Sequence, residues 1–371
     1  MSFLGLIFKN LLRQPVRAGL TLLGISVGIT TVVALGIITS GLKSTFSDVL
    51  TMAGADFMVA QDGSADLSFS TVPEGDEARV AQLPGVARAV PALMHITQMG
   101  GNPFFILMGF RPEDLAFSPP RIVEGALLSA GATDEIMLGD SAAAALGKGV
   151  GDTLTFGDRT FRVVGVYHAG ALWEDNGAKT SLAAAQDVAA KPGSISVIYV
   201  TVAEGASVKS VAASVERTFK HLASITNTGD VGKVDQGVRL LDAANLAISI
   251  LAVGIGAIGV MNTMIMSVFE RTREIGILRA VGWSGARVLR MILAESLMLC
   301  VVAAFAGSAL GTGASRAVIL VPAIGNLLEP VYTVDIFIRA LLVATVVAVV
   351  GAAYPAYRAV RLTPMQALRY E

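Results

Sequence analysis

Ala243-Ala-Asn-Leu-Ala-Ile-Ser-Ile-Leu-Ala-Val-Gly-Ile-Gly-Ala-Ile-Gly-Val-Met-Asn-Thr-Met-Ile-Met-Ser-Val-Phe269 contains no charged side chain, and Glu270-Arg-Thr-Arg-Glu274 follows it at once. A helix needs about 20 apolar residues to cross ~30 Å of hydrocarbon, and this stretch is long enough. Three further runs share the pattern, between Arg17 and Lys43, between Glu295 and Arg316, and between Arg339 and Arg358. A fifth charge-free run, between Arg88 and Arg111, differs because it holds Pro91, His95, Gln98, Gly100, Gly101, Asn102 and Pro103. Gly-Gly-Asn-Pro punctuates two β-forming segments there, so it reads as a hairpin. Four transmembrane helices are therefore expected, over residues 17–42, 243–268, 288–313 and 336–354.

Composition agrees with the pattern. Of 371 residues, 53% are hydrophobic and 15% charged, against about 25% charged in an ordinary soluble domain. The 28 basic residues nearly balance the 29 acidic ones, which argues against a nucleic-acid binder. The lone Cys300 excludes an intramolecular disulfide and any cysteine-based metal cluster, and its apolar setting reads as an inert thiol. The first apolar run exceeds the 7–15 residues of a signal-peptide core, so it is expected to remain as an uncleaved span.

Charge near the span ends sets the expected orientation. Lys9, Arg13 and Arg17, then Arg271, Arg273, Arg279, Arg287 and Arg290, and finally Arg358, Arg361 and Arg369 face only Glu270, Glu274 and Glu371. The segment from Gly41 to Asp242 carries 15 basic and 23 acidic residues. Both termini and the link after the second span are thus expected in the cytoplasm, with residues 43–242 outside as a soluble domain and 314–335 as a short outer loop. Residues 355–371 form the cytoplasmic tail. Ahead of the first span, Leu4, Ile7, Phe8, Leu11 and Leu12 repeat at helical spacing opposite Lys9, Asn10 and Arg13. Residues 1–16 therefore read as an amphipathic helix on the inner membrane surface.

The outer segment reads as mixed α/β in two lobes, joined near residues 112–130 where Pro112, Pro119 and Pro120 cluster. Strands are expected over 55–60, 86–97, 104–110, 135–138, 153–156, 160–166 and 194–202, and helices over 73–82, 141–146 and 207–222. His95, His168 and His221 are scattered and read as surface or hydrogen-bonded residues, and Trp173-Glu174-Asp175 as a solvated turn. No metal ligand set and no catalytic constellation emerges.

Three motifs match on paper and fail on context. Gly24-Ile-Ser-Val-Gly28 has the nucleophile-elbow pattern and Gly254-Ile-Gly256-Ala-Ile-Gly259 the dinucleotide fingerprint, yet neither follows a strand. Small residues there, like Gly307 and Gly311, suit close approach of helices in lipid. Leu146-Gly-Lys148-Gly-Val-Gly151 lacks the Ser or Thr of a phosphate loop and leads towards a hairpin.

The link Glu270-Arg271-Thr-Arg273-Glu274-Ile275-Gly-Ile-Leu278-Arg-Ala-Val-Gly282 reads as a short helix. Glu270 with Arg273 and Arg271 with Glu274 are spaced as i, i+3 ion pairs on a solvated face. Ile275 and Leu278 make the opposite apolar edge, and Gly282 is a natural stop. Such a helix, within the interspan segment 269–287, can pass force from a soluble partner into the bilayer. A plain charged linker is the alternative.

Met261-Asn262-Thr-Met-Ile-Met-Ser-Val-Phe-Glu270 through Gly282 closely resembles the signature of MacB/FtsX-type ABC transporter permeases, also called type VII ABC transporters. Tyr354-Pro355-Ala-Tyr-Arg358 through Arg369 resembles their C-terminal tail, and Asn10-Leu-Leu-Arg13 with Leu23-Gly24-Ile-Ser-Val-Gly28 their opening. The resemblance covers the membrane part, about half of the chain. It implies a non-catalytic permease in the cytoplasmic (inner) membrane of a prokaryote, dimeric, docked on two copies of a cytoplasmic ABC ATPase through Glu270, Arg271, Arg273, Glu274, Ile275, Leu278 and Gly282. ATP and Mg would be bound by that partner, with no cofactor on this chain. The macrolide exporter of the family carries its ATPase on the same chain, a departure from which a separate ATPase is expected here. Gly254, Gly256, Gly259, Asn262, Glu295, Gly307 and Gly311 are the candidates for dimer or helix packing. Glu295, at the edge of the third span, has two readings: a group at a dimer or coupling interface, or one that snorkels to the membrane surface.

The activity implied is export of a hydrophobic compound, lipid or peptide, with a periplasmic adaptor or outer-membrane channel as further partners. A signalling scaffold that regulates an extracytoplasmic hydrolase is the alternative from another class, and lipoprotein release is a third.

Overall fold

A computed structural model describes residues 15–50, 52–321, 325 and 329–361. The expected interfacial helix lies outside the described residues except for its last two positions, and so does the tail beyond Arg361. Among the described residues, four helices are long and apolar enough to cross a membrane: Pro15–Leu50, Gln236–Glu270, Gly285–Ile319 and Val334–Arg361. Each is longer than its expected span, because polar turns continue the helix beyond the apolar run. The chain divides into two compact parts, one built on these helices up to Ile38, over Ala243–Ala317 and from Tyr332, the other on Thr39–Asp242 with Val318–Val331.

In the helical part, small residues set the spacing. A Cβ on Gly307 would lie 2.8 Å from Ile29 Cβ and 2.8 Å from the Ser26 carbonyl oxygen, and one on Gly311 would lie 2.8 Å from Val33 Cβ. The first and third long helices therefore touch backbone to backbone there. Gly351 plays the same part between the fourth and second, 2.7 Å from the Ala257 carbonyl oxygen and from Val260 Cβ. Hydroxyls bridge the seams: Ser26 donates to the Ala303 carbonyl at 3.2 Å, Ser296 to that of Ala348 at 3.2 Å, and Thr21 meets Thr263 at 2.6 Å. Between apolar helices in lipid, close backbones and such bonds replace the hydrophobic drive that water would supply.

The other part is a mixed α/β domain. Its strands are β1 (Phe57–Gln61), β2 (Val72–Pro73), β3 (Val86–Met99), β4 (Asn102–Phe110), β5 (Arg121–Gly125), β6 (Glu135–Gly139), β7 (Thr153–Phe156), β8 (Arg159–His168), β9 (Ala178–Ser181), β10 (Ser194–Ile195), β11 (Val197–Val202) and β12 (Leu222–Ile225). One sheet runs in the order β12-β1-β11-β3-β4-β9-β6-β8-β5 with β7 paired to β8, and β2 pairs separately with β10. The β4–β9 and β6–β8 pairs are parallel. The β3–β4 hairpin turns at Gly100 and Gly101, whose φ of +57° and +83° only glycine adopts cheaply.

Residues 112–130, expected to join two lobes, hold the helix Pro112–Phe117 and β5, and the sheet continues through both halves. Alternation along the strands sends Phe57 and Val59 to one face, where they meet Val211 and Val215 of the helix Val208–Thr218. Met58 and Ala60 point to the other, against Val49, Leu50, Tyr199 and Trp173. Further along the sheet, Phe105, Leu107, Ile136 and Phe161 enclose Ala142 and Ala143 of the helix Asp140–Leu146.

Candidate functional site

The second long helix ends at Glu270 and a separate helix, Thr272–Ala280, begins two residues later. Arg271 stands at the break with φ −107° and ψ 12°, outside helical geometry. The break rearranges the expected ion pairs. Arg271 Nε reaches Glu274 Oε2 at 3.2 Å as spaced, but Glu270 pairs with Arg17 Nη1 at 3.3 Å instead of Arg273. Positions 270 and 273 lie on different helices, so the i, i+3 rule does not join them.

Arg271 also makes a buried tie to the third long helix. Its Nη1 lies 3.1 Å from Glu295 Oε2, with the two side chains 12% and 7% exposed. Glu295 therefore does not snorkel to the surface: it is buried in the third long helix and anchors the start of the short one. A bidentate-capable guanidinium suits such a pair, since it keeps its charge under desolvation. Ile275 adds an apolar anchor, buried in the same cluster as Met264, Val268, Val288 and Ile292. The far end is closed by bonds from Gly282 N to the Arg279 carbonyl at 3.1 Å and from Trp283 N to that of Leu278 at 3.0 Å. These are the two bonds of a Schellman cap, which needs the φ of +99° at Gly282.

Fixed at both ends, the helix turns a mixed face outward. Arg273 and Glu274 are exposed, as are Ile277 at 48% and Val281 at 78%. Arg273, Ile277 and Val281 follow one another at i, i+4, i+8, a single stripe. Sequence reasoning assigned the apolar edge to Ile275 and Leu278; the first is buried and the second half-buried, so both belong to the bundle side. The stripe was legible in the same spacing, had the count started from Arg273.

The remaining candidates divide. Gly256 packs on Val347, where an added Cβ would lie 3.1 Å from Cγ1, and Gly307 and Gly311 fill the seam already described. Gly254 and Gly259 have nothing within 4 Å of an added Cβ, and Asn262 is exposed.

In the α/β domain, Trp173, Glu174 and Asp175 are not a solvated turn. They are buried in the one-turn helix Leu172–Asp175, 3%, 9% and 5% exposed. Tertiary partners draw them in: Glu174 binds Lys179 of β9, and Asp175 accepts from Ala169 N at 2.6 Å and Gly170 N at 3.2 Å. Gly139 leaves room for the Asp175 backbone to lie against β6. His168 Nδ1 meets Asp140 at 2.9 Å and Asp175 at 3.2 Å, and His221 Nε2 meets Asp76 at 2.8 Å. The histidines are thus hydrogen-bonded by residues distant in sequence. Burial and the nearby Lys191 hold His95 below the ordinary imidazole value.

Two families match the chain in succession. Residues 18–218 match the MacB-like periplasmic core domain and residues 246–364 the FtsX-like permease C-terminal region. A macrolide export ATP-binding/permease protein MacB of Bdellovibrio bacteriovorus is 26% identical, with 98% of this chain aligned to 61% of that protein. A pyoverdine export ATP-binding/permease protein PvdT of Pseudomonas putida is 28% identical, with 96% of this chain aligned to 57% of it. A macrolide export protein MacB of Rhodopirellula baltica is 40% identical over 141 residues, 38% of this chain and 20% of that one. The chain thus spans about three fifths of the length of the first two relatives. With one family covering more than half of it and the other most of the rest, this multi-pass membrane protein belongs to the MacB/FtsX-type ABC transporter permeases.

Proposed function

We propose that the chain is the membrane subunit of an ABC exporter of the cytoplasmic membrane, driven by an ABC ATPase on a partner chain that binds ATP and Mg. In this reading two permease chains dock two ATPase subunits. The termini and the short helix Thr272–Ala280 face the cytoplasm and the α/β domain lies outside, in keeping with the basic residues gathered around the helix ends. The cargo is a hydrophobic compound, lipid or peptide, and an adaptor or outer-membrane channel would receive it. Both long relatives carry the word export in their names, which supports this activity over signalling or lipoprotein release.

The observation that carries the proposal is the exposed stripe Arg273–Ile277–Val281 on a helix pinned by Arg271, Ile275 and Gly282. A rigid lever with a mixed outward face transmits a push that a slack linker would absorb. Hot spots combine an apolar contact with a charge, so the variant R273E/I277D/V281D should insert and fold normally yet bind the ATPase at least tenfold more weakly. Arg271 is left intact because it holds the helix in place. Unchanged ATPase affinity with unchanged export in that variant would reduce the segment to a linker.

A further inference from the structure

The α/β domain carries a cavity of about 620 Å³ beside the ends of two long helices, walled by Lys43, Asp62, Gly63, Lys233, Arg239 and Asp242. Its depth relative to the bilayer follows from the chain itself. Lys43 is the first charged residue after the apolar run of the first long helix, and Asp242 the last before that of the second. The two meet at 2.9 Å. Charged side chains so placed mark where hydrocarbon gives way to headgroups.

The wall is pre-formed. Asp62 N donates to the His221 carbonyl at 2.9 Å, Gly63 N to that of Lys233 at 2.8 Å, and Gln236 N to that of Ser64 at 3.1 Å. Gly63 makes the turn with φ +66°. Asp62 and Arg239 are thereby held on the same rim.

The charges of the cavity are unequally engaged. Lys43 is held by Asp242, and Lys233 by Asp230 at 3.2 Å. Among the described residues, neither the Asp62 carboxylate nor the Arg239 guanidinium has a side-chain partner. One unengaged anion and one unengaged cation on a single cavity at headgroup depth match a ligand with the opposite pair. A guanidinium favours two oxygens of one phosphate, and a carboxylate favours an ammonium with N–H donors.

We infer that this cavity binds the headgroup of a membrane lipid that carries a phosphodiester and a primary ammonium, with the phosphate on Arg239 and the ammonium on Asp62. The inference rests only on the long helices crossing the membrane, and stands whether or not the ATPase docks as proposed. Phosphatidylcholine, whose ammonium has no N–H, and phosphatidylglycerol, which has no ammonium, should bind less well.

The test is native mass spectrometry of the full chain, extracted from vesicles of equal parts phosphatidylethanolamine, phosphatidylglycerol and phosphatidylcholine. Phosphatidylethanolamine should be retained at least fivefold over each of the others. That preference should collapse in both D62N and R239A, with elution profile and melting temperature as in the parent chain. Equal retention of the three lipids would overturn the inference without recourse to any variant. So would a preference for phosphatidylglycerol, or a preference that both variants keep. Soluble glycerophosphoethanolamine that binds while no lipid is retained would assign the cavity to a solute and overturn the lipid.

Discussion

The α/β domain and the helical bundle fill their interiors with different residues. Among the largest fully buried side chains are Tyr167, Tyr199, Phe57, Phe105, Phe110 and Phe161, all in the domain. The bundle interior instead gathers Ala303, Ala304, Ala340, Ala344, Ala348, Ala352, Ala356 and Ala359. In water, a large aromatic gains free energy simply by leaving solvent. In lipid it gains nothing by exchanging one apolar neighbour for another, so close backbones are favoured instead. The contrast extends to charge. The domain buries Lys179 with Glu174, 5% and 11% exposed, and the bundle buries Arg271 with Glu295 at 12% and 7%.

Removing the acid from each pair tests that contrast most severely. Taking one partner from a buried pair costs about 3–5 kcal/mol, because a charge is left without compensation. Glu295→Gln should cost less than that full loss, since Arg271 keeps Glu274 as a second partner at 3.2 Å. Glu174→Gln should incur that full loss, because Lys179 then keeps only the rings of Phe110 and Tyr167 beside its charge. Unfolding in mixed micelles at pH 7 reads both. Equal losses would show that the two pairs are handled alike.

A smaller effect separates the glycines. Gly307→Ala places a methyl 2.8 Å from both Ile29 Cβ and the Ser26 carbonyl oxygen, whereas at Gly254 nothing lies within 4 Å. Overpacking of a tight seam costs about 1–3 kcal/mol. Gly307→Ala should therefore lower bundle stability by that amount, while Gly254→Ala is neutral or slightly stabilising, as alanine is the better helix former. If Gly254→Ala instead weakens self-association on a cross-linking gel, that glycine serves a second copy of the chain.

What the sequence showed and what it hid follow the same division. The long helices could be read from gaps between charges because the hydrocarbon imposes one rule along the whole span. Their ends could not: the first runs on to Leu50, since Leu42, Val49 and Leu50 find the domain core. In the domain, β9 (Ala-Lys-Thr-Ser) has no apolar run and is buried only because β4 and β6 flank it. The helix expected over 207–222 stops at Thr218, and Leu222–Ile225 becomes β12 because β1 offers it an edge. At the candidate site, the link helix and its glycine stop were legible locally. The Arg271–Glu295 tie joins residues 24 apart and was not.

The smallest expected effect concerns acid and the domain alone, since all three histidines lie there. His95 is held below 6.5, first by burial and then by Lys191. Below 6.5 the unfolded chain takes up a proton that the folded domain resists, so the linkage sign is fixed. Stability should be whole above pH 6.5, decline as pH falls through that value, and level off once the folded state is also protonated. Asp230, lowered chiefly by its bonds to Thr226 and Lys233 against the opposing pull of burial, loses its contribution only below about pH 3.8. Asp235, raised by burial, acts in the opposite direction and also in the acid range. Between pH 7.5 and 5.5 the histidine therefore dominates among these groups. His95→Gln should flatten the melting temperature of the domain across that interval, with hydrogen exchange of β3 and β4 peptides following it. Parallel pH curves for parent and variant would show that acid acts elsewhere.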